Sequence, residues 1–225
     1  MILLVTFLKG LVWAIVVPIW HTPDEQAHFA DIEFISEEKR LPAYILFPGI
    51  KPEKDLSKEI LVSEQLLGTE RNEAGNNKFT YHPEFNIPYS QTPTGLNENK
   101  IITTPLSWRK DMVGSEPVNY PPLYYLLGSL VYLIFYSSDL FTRVFMVRVF
   151  SIIISLLVVY FSFKIAEKIF PHDIIYQLAV PILVSFQPMF AFVSSGVTSD
   201  NLTNSLFTIF IYLGLKVIDR EELSI

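Results

Sequence analysis

Ile19-Trp20-His21-Thr22-Pro23-Asp24-Glu25-Gln26-Ala27-His28-Phe29-Ala30 ends an apolar run that begins at Met1, and it puts two acids directly after that run. An apolar stretch of eighteen or more residues reads as a transmembrane helix. Asp24 and Glu25 are thereby expected where a membrane surface meets water. Carboxylates in such places are costly to desolvate and often mark a substrate or ion site. A signal peptide is the competing reading of Met1–Trp20. Lys9 inside the run, no basic stretch before it, and the bulky Pro18-Ile19-Trp20 in place of a small-residue cleavage site all favour an uncleaved helix.

The composition agrees with a membrane chain. Half of the 225 residues are hydrophobic, with 18 Phe and 11 Tyr, and the mean hydropathy is +0.35. There is no cysteine, which excludes disulfides, thiolate metal sites and cysteine nucleophiles. The net charge of −6 is uneven: residues 21–118 hold 16 of the 23 acids but only 10 of the 17 bases. Nucleic-acid binding wants the opposite sign.

Further apolar segments run over Pro121–Tyr136, Phe145–Phe163, Tyr176–Ser194 and Leu202–Val217. The expected architecture is all-α and polytopic, with four to five apolar helices and a large outer loop carrying amphipathic juxtamembrane helices. It divides into a first transmembrane helix at 1–20, an outer loop at 21–118, a re-entrant or interfacial helix at 119–137, and three transmembrane helices at 138–225. Inside the loop, Asp24–Glu38 reads as an amphipathic helix and Lys54–Leu67 as a second short helix closed by Gly68. Thr69–Lys78 reads as a mobile polar stretch. From Tyr81 to Pro117, the recurring Pro83, Pro88, Pro93, Pro105 and Pro117 argue for extended loop.

Charge decides the topology. If every apolar segment spans, Lys164, Lys168, Lys216 and Arg220 fall opposite the N-terminus and outnumber Arg143 and Arg148, which breaks the positive-inside rule. If Pro121–Tyr136 does not cross, those four bases become cytoplasmic, and Asp24 and Asp200 share the outer face. About sixteen residues rich in Tyr, opened by Pro121-Pro122, suit that role.

The motifs carry both plain and chemical readings. Thr22-Pro23-Asp24-Glu25 is first a helix start, with Thr22 as N-cap, Pro23 at N1 and Glu25 closing a capping box. His28 lies one turn beyond Asp24 on the same helical face, where an imidazole beside a carboxylate suits proton transfer or metal binding. Asn119-Tyr120-Pro121-Pro122 reads as a loop-to-helix junction. Arg143 and Arg148 either grip a phosphate bidentately or snorkel to headgroups. Ser199 or Asp200 is expected to cap the last helix. His21, His82 and His172 have no constellation around them.

In order, PDEQAHF at 23–29, NYPPLYYLLGSL at 119–130, RVFMVRVFSIIISLL at 143–157 and QPMFAFVSSGVTSDN at 187–201 form a series. It resembles the N-terminal part of the GT-C superfamily of polytopic glycosyltransferases, the group with protein O-mannosyltransferases and aminoarabinose transferases. It looks closest to an uncharacterised prokaryotic branch of membrane proteins. The resemblance leaves out about Lys39–Glu116. It implies transfer of a sugar from a polyprenyl-phosphate donor to an acceptor hydroxyl on the outer face of the prokaryotic cytoplasmic membrane, with inversion. Asp24 matches the catalytic aspartate and Glu25 the second acid of the pair. His28, Tyr120 and Asp200 are the expected substrate-binding residues, and Arg143 or Arg148 resembles the arginine near the carrier phosphate. The resemblance leaves a divalent metal open. GT-C enzymes usually have more membrane segments, so membrane lipid and a C-terminal half or second subunit are expected partners. The runner-up is a non-catalytic scaffold or transport component of the same fold.

Overall fold

The computed structural model describes residues 1–47, 49–67, 69, 96–117 and 119–222. Gly68, most of the Thr69–Lys78 stretch, His82 and the 81–95 part of the proline-rich segment lie outside the described residues. The chain is mostly helical and separates into two compact units: Met1–Val17 with Arg148–Ile225, and Pro18–Val147.

In the first unit, α1 (Ile2–Val16) packs against α8 (Ile174–Phe186) and α9 (Pro188–Ser194). Thr6 and Ser185 share a hydroxyl hydrogen bond of 2.7 Å, and Gly10 sits so close to Ile152 that a Cβ would come within 2.9 Å of it. Pro188 has no N–H for the carbonyl of Val184, so the helix breaks at Gln187 and α9 restarts at a bend of 60°. Gln187 caps the new helix, its Oε1 accepting from the N–H of Phe190 at 2.6 Å. The long α7 (Leu140–Ile169), from Arg148 onward, and α10 (Asp200–Glu222) supply the rest, while residues 140–147 of α7 belong to the second unit.

In the second unit, α2 (Glu25–Glu38) lies against α6 (Leu123–Ile134). Gly128 lets them close, since a Cβ there would meet Ile32 at 2.7 Å. Around them stand α3 (Ala43–Leu46), α4 (Lys58–Leu67), α5 (Leu96–Ile102) and a 3₁₀ turn at Leu106–Arg109. Strands β1 (Leu56–Ser57) and β2 (Met112–Gly114) pair antiparallel, with Leu56 opposite Gly114.

Several expectations need correction. Two helices, α7 and α10, are long and apolar enough to cross a membrane, or three if the bent α8–α9 pair counts as one. The four to five spanning helices expected are not all of that length. At 1.5 Å per residue, α1 and α6 reach roughly 22 and 18 Å, short of the ~30 Å hydrocarbon layer. The Lys54–Leu67 helix begins only at Lys58, because Leu56 and Ser57 are taken by the ribbon. Residues 96–117 are not extended loop: they form α5, the 3₁₀ turn and β2. The α2 helix is not amphipathic, because every residue from Glu25 to Ser36 is buried. Helix after Pro122, by contrast, begins where the paired prolines allow it, at Leu123.

Candidate functional site

The elbow before α2 is bound by two non-glycine residues in the left-handed region, Trp20 at φ 65° and Asp24 at φ 55°. That conformation is uncommon for any residue with a Cβ, and an outlier for one as bulky as Trp. Trp20 is held there from two sides. Its backbone N–H donates to Glu25 Oε2 at 2.9 Å, and its indole Nε1–H to Ser63 Oγ at 2.8 Å. The capping box is therefore corrected. The N-cap is Asp24, its side chain makes no cap bond, and Glu25 reaches past it to Trp20. Thr22 Oγ1 is buried with no hydrogen-bond partner. Its role as N-cap has passed to the backbone.

The structure thus separates the acid pair. Glu25 is fully buried and holds the elbow, while Asp24 is exposed at its outer corner. His28 is also buried: Nδ1 lies 2.8 Å from the hydroxyl of Tyr125, and the ring stacks on Tyr125 at 5.9 Å and Tyr120 at 5.5 Å. Tyr120, 45% exposed, forms the outer face of that stack.

The remaining acids of α2 are enclosed and must be neutralised there. Glu33 accepts from Arg143 Nη1 at 2.8 Å, and Arg143 Nη2 donates to Glu59 at 2.5 Å. Arg109 Nε lies 3.3 Å from the same Glu59 oxygen. Arg109 also donates to the carbonyls of Tyr136 and Ser138 beyond α6. Two guanidinium groups and two carboxylates make a closed, charge-balanced cluster. Burial pushes the Glu33 carboxyl up, against the pull of Arg143. The Tyr132 hydroxyl lies 3.1 Å from Glu33 and 3.0 Å from Glu37, so its one hydrogen can be donated to either carboxylate.

A third group holds a proton. The Tyr44 hydroxyl is 2.5 Å from Asp31 Oδ1 and 2.7 Å from Asp55 Oδ2. One phenol has one hydrogen and cannot donate to two carboxylates at such short range, so one acid must be protonated and donate back. That acid is Asp31. It is fully buried, and burial pushes its carboxyl up to about 8, with the Asp55 charge adding to the shift. Asp55 is also raised by burial, but accepts in addition from the N–H of Glu116.

In the first unit, Arg148 donates from Nη1 to the carbonyls of Ala14 and Val17 at 2.8 and 2.6 Å. The carbonyl of Ala14 would bond residue 18 in a continuing helix, and Pro18 has no N–H. Asp200 is exposed in the first turn of α10 and lines a cavity of about 320 Å³ with Gln187, Phe190 and Asn204. Asn201 is 2% exposed: its amide donates to the Gly196 carbonyl at 3.2 Å, and its oxygen accepts from Ser155 at 3.1 Å. Among the described residues, no group of three or more His, Asp or Glu is arranged to hold a metal ion.

The structure brings Asp24, Glu25, His28 and Tyr120 into one unit with Arg143, and Asp200 and Arg148 into the other. Sequence reasoning missed the Arg109–Glu59–Arg143–Glu33 cluster and the Asp31–Tyr44–Asp55 chain. The one local signal was Asp31 and Glu33 inside the apolar series Phe29, Ala30, Ile32, Phe34 and Ile35. Charges so placed on a buried helix demand partners.

The long apolar helices, a buried polar helix and short apolar helices beside them define a helical integral membrane protein. The chain belongs to the family described as "Predicted membrane protein (DUF2142)", whose model matches residues 7–224. Comparison with curated proteins and with solved structures finds no match to the chain.

Proposed function

We propose that the chain is the catalytic N-terminal module of a membrane glycosyltransferase, acting at the extracytoplasmic face of a prokaryotic cytoplasmic membrane. It takes a sugar from a polyprenyl-phosphate donor and passes it to an acceptor hydroxyl, with Asp24 as general base. The observation that carries this reading is the exposure of Asp24 at a left-handed backbone corner. The buried acids of α2 are engaged inside the unit: Glu25 with Trp20, Asp31 with Tyr44, Glu33 with Arg143. Asp24, by contrast, is exposed, and its backbone is left-handed. Strain of that kind, of order 1–3 kcal/mol, concentrates at functional sites. The motif series at 23–29, 119–130, 143–157 and 187–201 supplies the class of reaction.

In this mechanism the Asp24 carboxylate takes the proton of the acceptor hydroxyl. The freed oxygen attacks the anomeric carbon from the face opposite the carrier. The carbon–oxygen bond to the phosphate breaks, and its electron pair leaves with the lipid phosphate. Tyr120, stacked on His28, offers an exposed aromatic face to a sugar ring. The test is transfer from a polyprenyl-phosphate sugar in membranes holding the chain and any segment that completes it. Asp24→Asn should lower transfer by about 10²–10⁴-fold, the usual contribution of a general base. Undiminished transfer would refute the role.

A specific observation favours a second reading, a scaffold without catalysis. Both arginines expected at a donor phosphate are engaged elsewhere, Arg143 by two carboxylates and Arg148 by helix carbonyls. Saturable binding of a polyprenyl phosphate, lost neither in Arg143→Lys nor in Arg148→Lys, would place the phosphate on other residues and keep the enzyme reading.

A further inference from the structure

The cavity of the first unit has a chemistry of its own. The break at Gln187 turns α9 away from α8 by 60°, and the start of α10 packs on α9, with the Asn201 amide donating to the Val193 carbonyl at 3.5 Å. Asp200 and Asn204 are one turn apart on α10 and therefore share a face. Both line the cavity, together with Gln187, Met189, Phe190 and Val193. The wall behind them is fixed: Ser194 to Ser199 are all buried, and Asn201 ties that loop to Ser155 on α7.

Three polar groups in this cavity have no partner among the described residues: the Asp200 carboxylate, the Asn204 carboxamide and the Nε2 of Gln187. No cation lines it. A phosphate or carboxylate would meet Asp200 with nothing to offset the repulsion. A hydroxyl both donates and accepts, so it satisfies a carboxylate and two amides together. Phe190 and Met189 add an apolar face for carbon–hydrogen surface. At about 320 Å³ the space is at the small end of ligand pockets, which run from roughly 300 to 1,000 Å³.

We infer that the cavity bounded by Gln187, Phe190, Asp200 and Asn204 binds a neutral polyhydroxyl group of about monosaccharide size, free or at the head of a lipid. As a binding site it stands on this geometry alone.

The experiment measures binding to the full chain in phosphocholine nanodiscs, using glucose, octyl glucoside and octyl phosphate as radiolabelled probes. Saturable binding of octyl glucoside, at least tenfold tighter than octyl phosphate, is expected. Glucose binding as tightly as octyl glucoside would assign the site to a free sugar, and a gain of tenfold or more from the octyl chain to a lipid headgroup. Asn204→Leu should weaken octyl glucoside at least tenfold, and Asp200→Asn less, since the amide still bonds hydroxyls. Both residues are exposed, and circular dichroism checks that the variants keep their helix content. Octyl phosphate binding as well as octyl glucoside, no saturable binding, or an unaffected Asn204→Leu would each overturn the inference. No sugar is transferred in this measurement, so its failure and a failure of Asp24 as base are separately visible.

Discussion

The guanidinium of Arg148 bonds the carbonyl of Ala14 at 2.8 Å, in place of the N–H that Pro18 does not have. The last carbonyls of any helix want donors, and a proline just past the end removes one of them. A base that looks misplaced on a charge map is thus a helix cap. Arg148→Met should lower the unfolding midpoint of the detergent-solubilised chain, by about 1–3 kcal/mol for each buried acceptor left unsatisfied. Arg148→Lys should cost less, because an ammonium still donates to one of the two carbonyls. A midpoint unchanged in Arg148→Met would remove the capping role.

Arg143 is the second test of that kind. Its fork spans Glu33 and Glu59, at 2.8 and 2.5 Å, with all three side chains at 1% exposure or less. Breaking a buried pair by removing one partner typically costs about 3–5 kcal/mol. Arg143→Met should approach that loss. Combining it with Glu33→Gln should recover a good part, since Glu59 then keeps Arg109 as its partner and no charge is left alone. Thermal unfolding of the single and double variants decides it: a double variant no more stable than Arg143→Met would contradict the charge-balance account.

The Asp31–Tyr44–Asp55 chain gives a pH dependence with a definite sign. Asp31 keeps its proton in the folded chain up to about pH 8, whereas an unfolded aspartic acid loses it near 3.9. Between those values the folded state binds more protons, so its stability falls as pH rises. The slope from one such group is at most about 1.4 kcal/mol per pH unit. Asp31→Asn should flatten denaturation midpoints measured between pH 5 and 8 by about one proton's worth. A slope unchanged by Asp31→Asn would show that Asp31 is ionised and that the proton sits elsewhere.

The topology is checked at the two ends of α7. Its 30 residues span about 45 Å, more than one hydrocarbon layer. We expect Ser137→Cys to react with an impermeant maleimide from outside intact cells, and His172→Cys only after lysis. Both positions are exposed. Labelling in the reverse order would place the Asp24 unit in the cytoplasm and end the extracytoplasmic reading.

What the sequence made legible was local. The apolar runs, the proline-limited start of α6 at Leu123 and the existence of α2 all follow from patterns within a dozen residues. The burial of α2 does not. Its partners Glu59, Arg109, Tyr132 and Arg143 come from 26 to 110 positions away, and nothing near Glu33 names them. Thr22 and Glu25 misled for a related reason: T-P-D-E satisfies a capping pattern, but the bond from Trp20 N–H to Glu25 depends on Trp20 being left-handed and anchored on Ser63. Backbone handedness of a non-glycine residue has no sequence signature. At the candidate site, neither the exposure of Asp24 nor the engagement of both arginines could be read from local pattern.

The left-handed corner at Asp24 sets durability against chemistry at one residue. Glycine adopts φ 55° without the ~1–2 kcal/mol that a Cβ costs there, although aspartate bears it better than most. Asp24→Gly is therefore expected to melt later than the wild type while losing the carboxylate proposed here as the base. Under that proposal, directed evolution of this chain toward heat resistance, scored by yield or melting alone, would drift to a sturdier and inert protein, and only selection on turnover would keep the carboxylate.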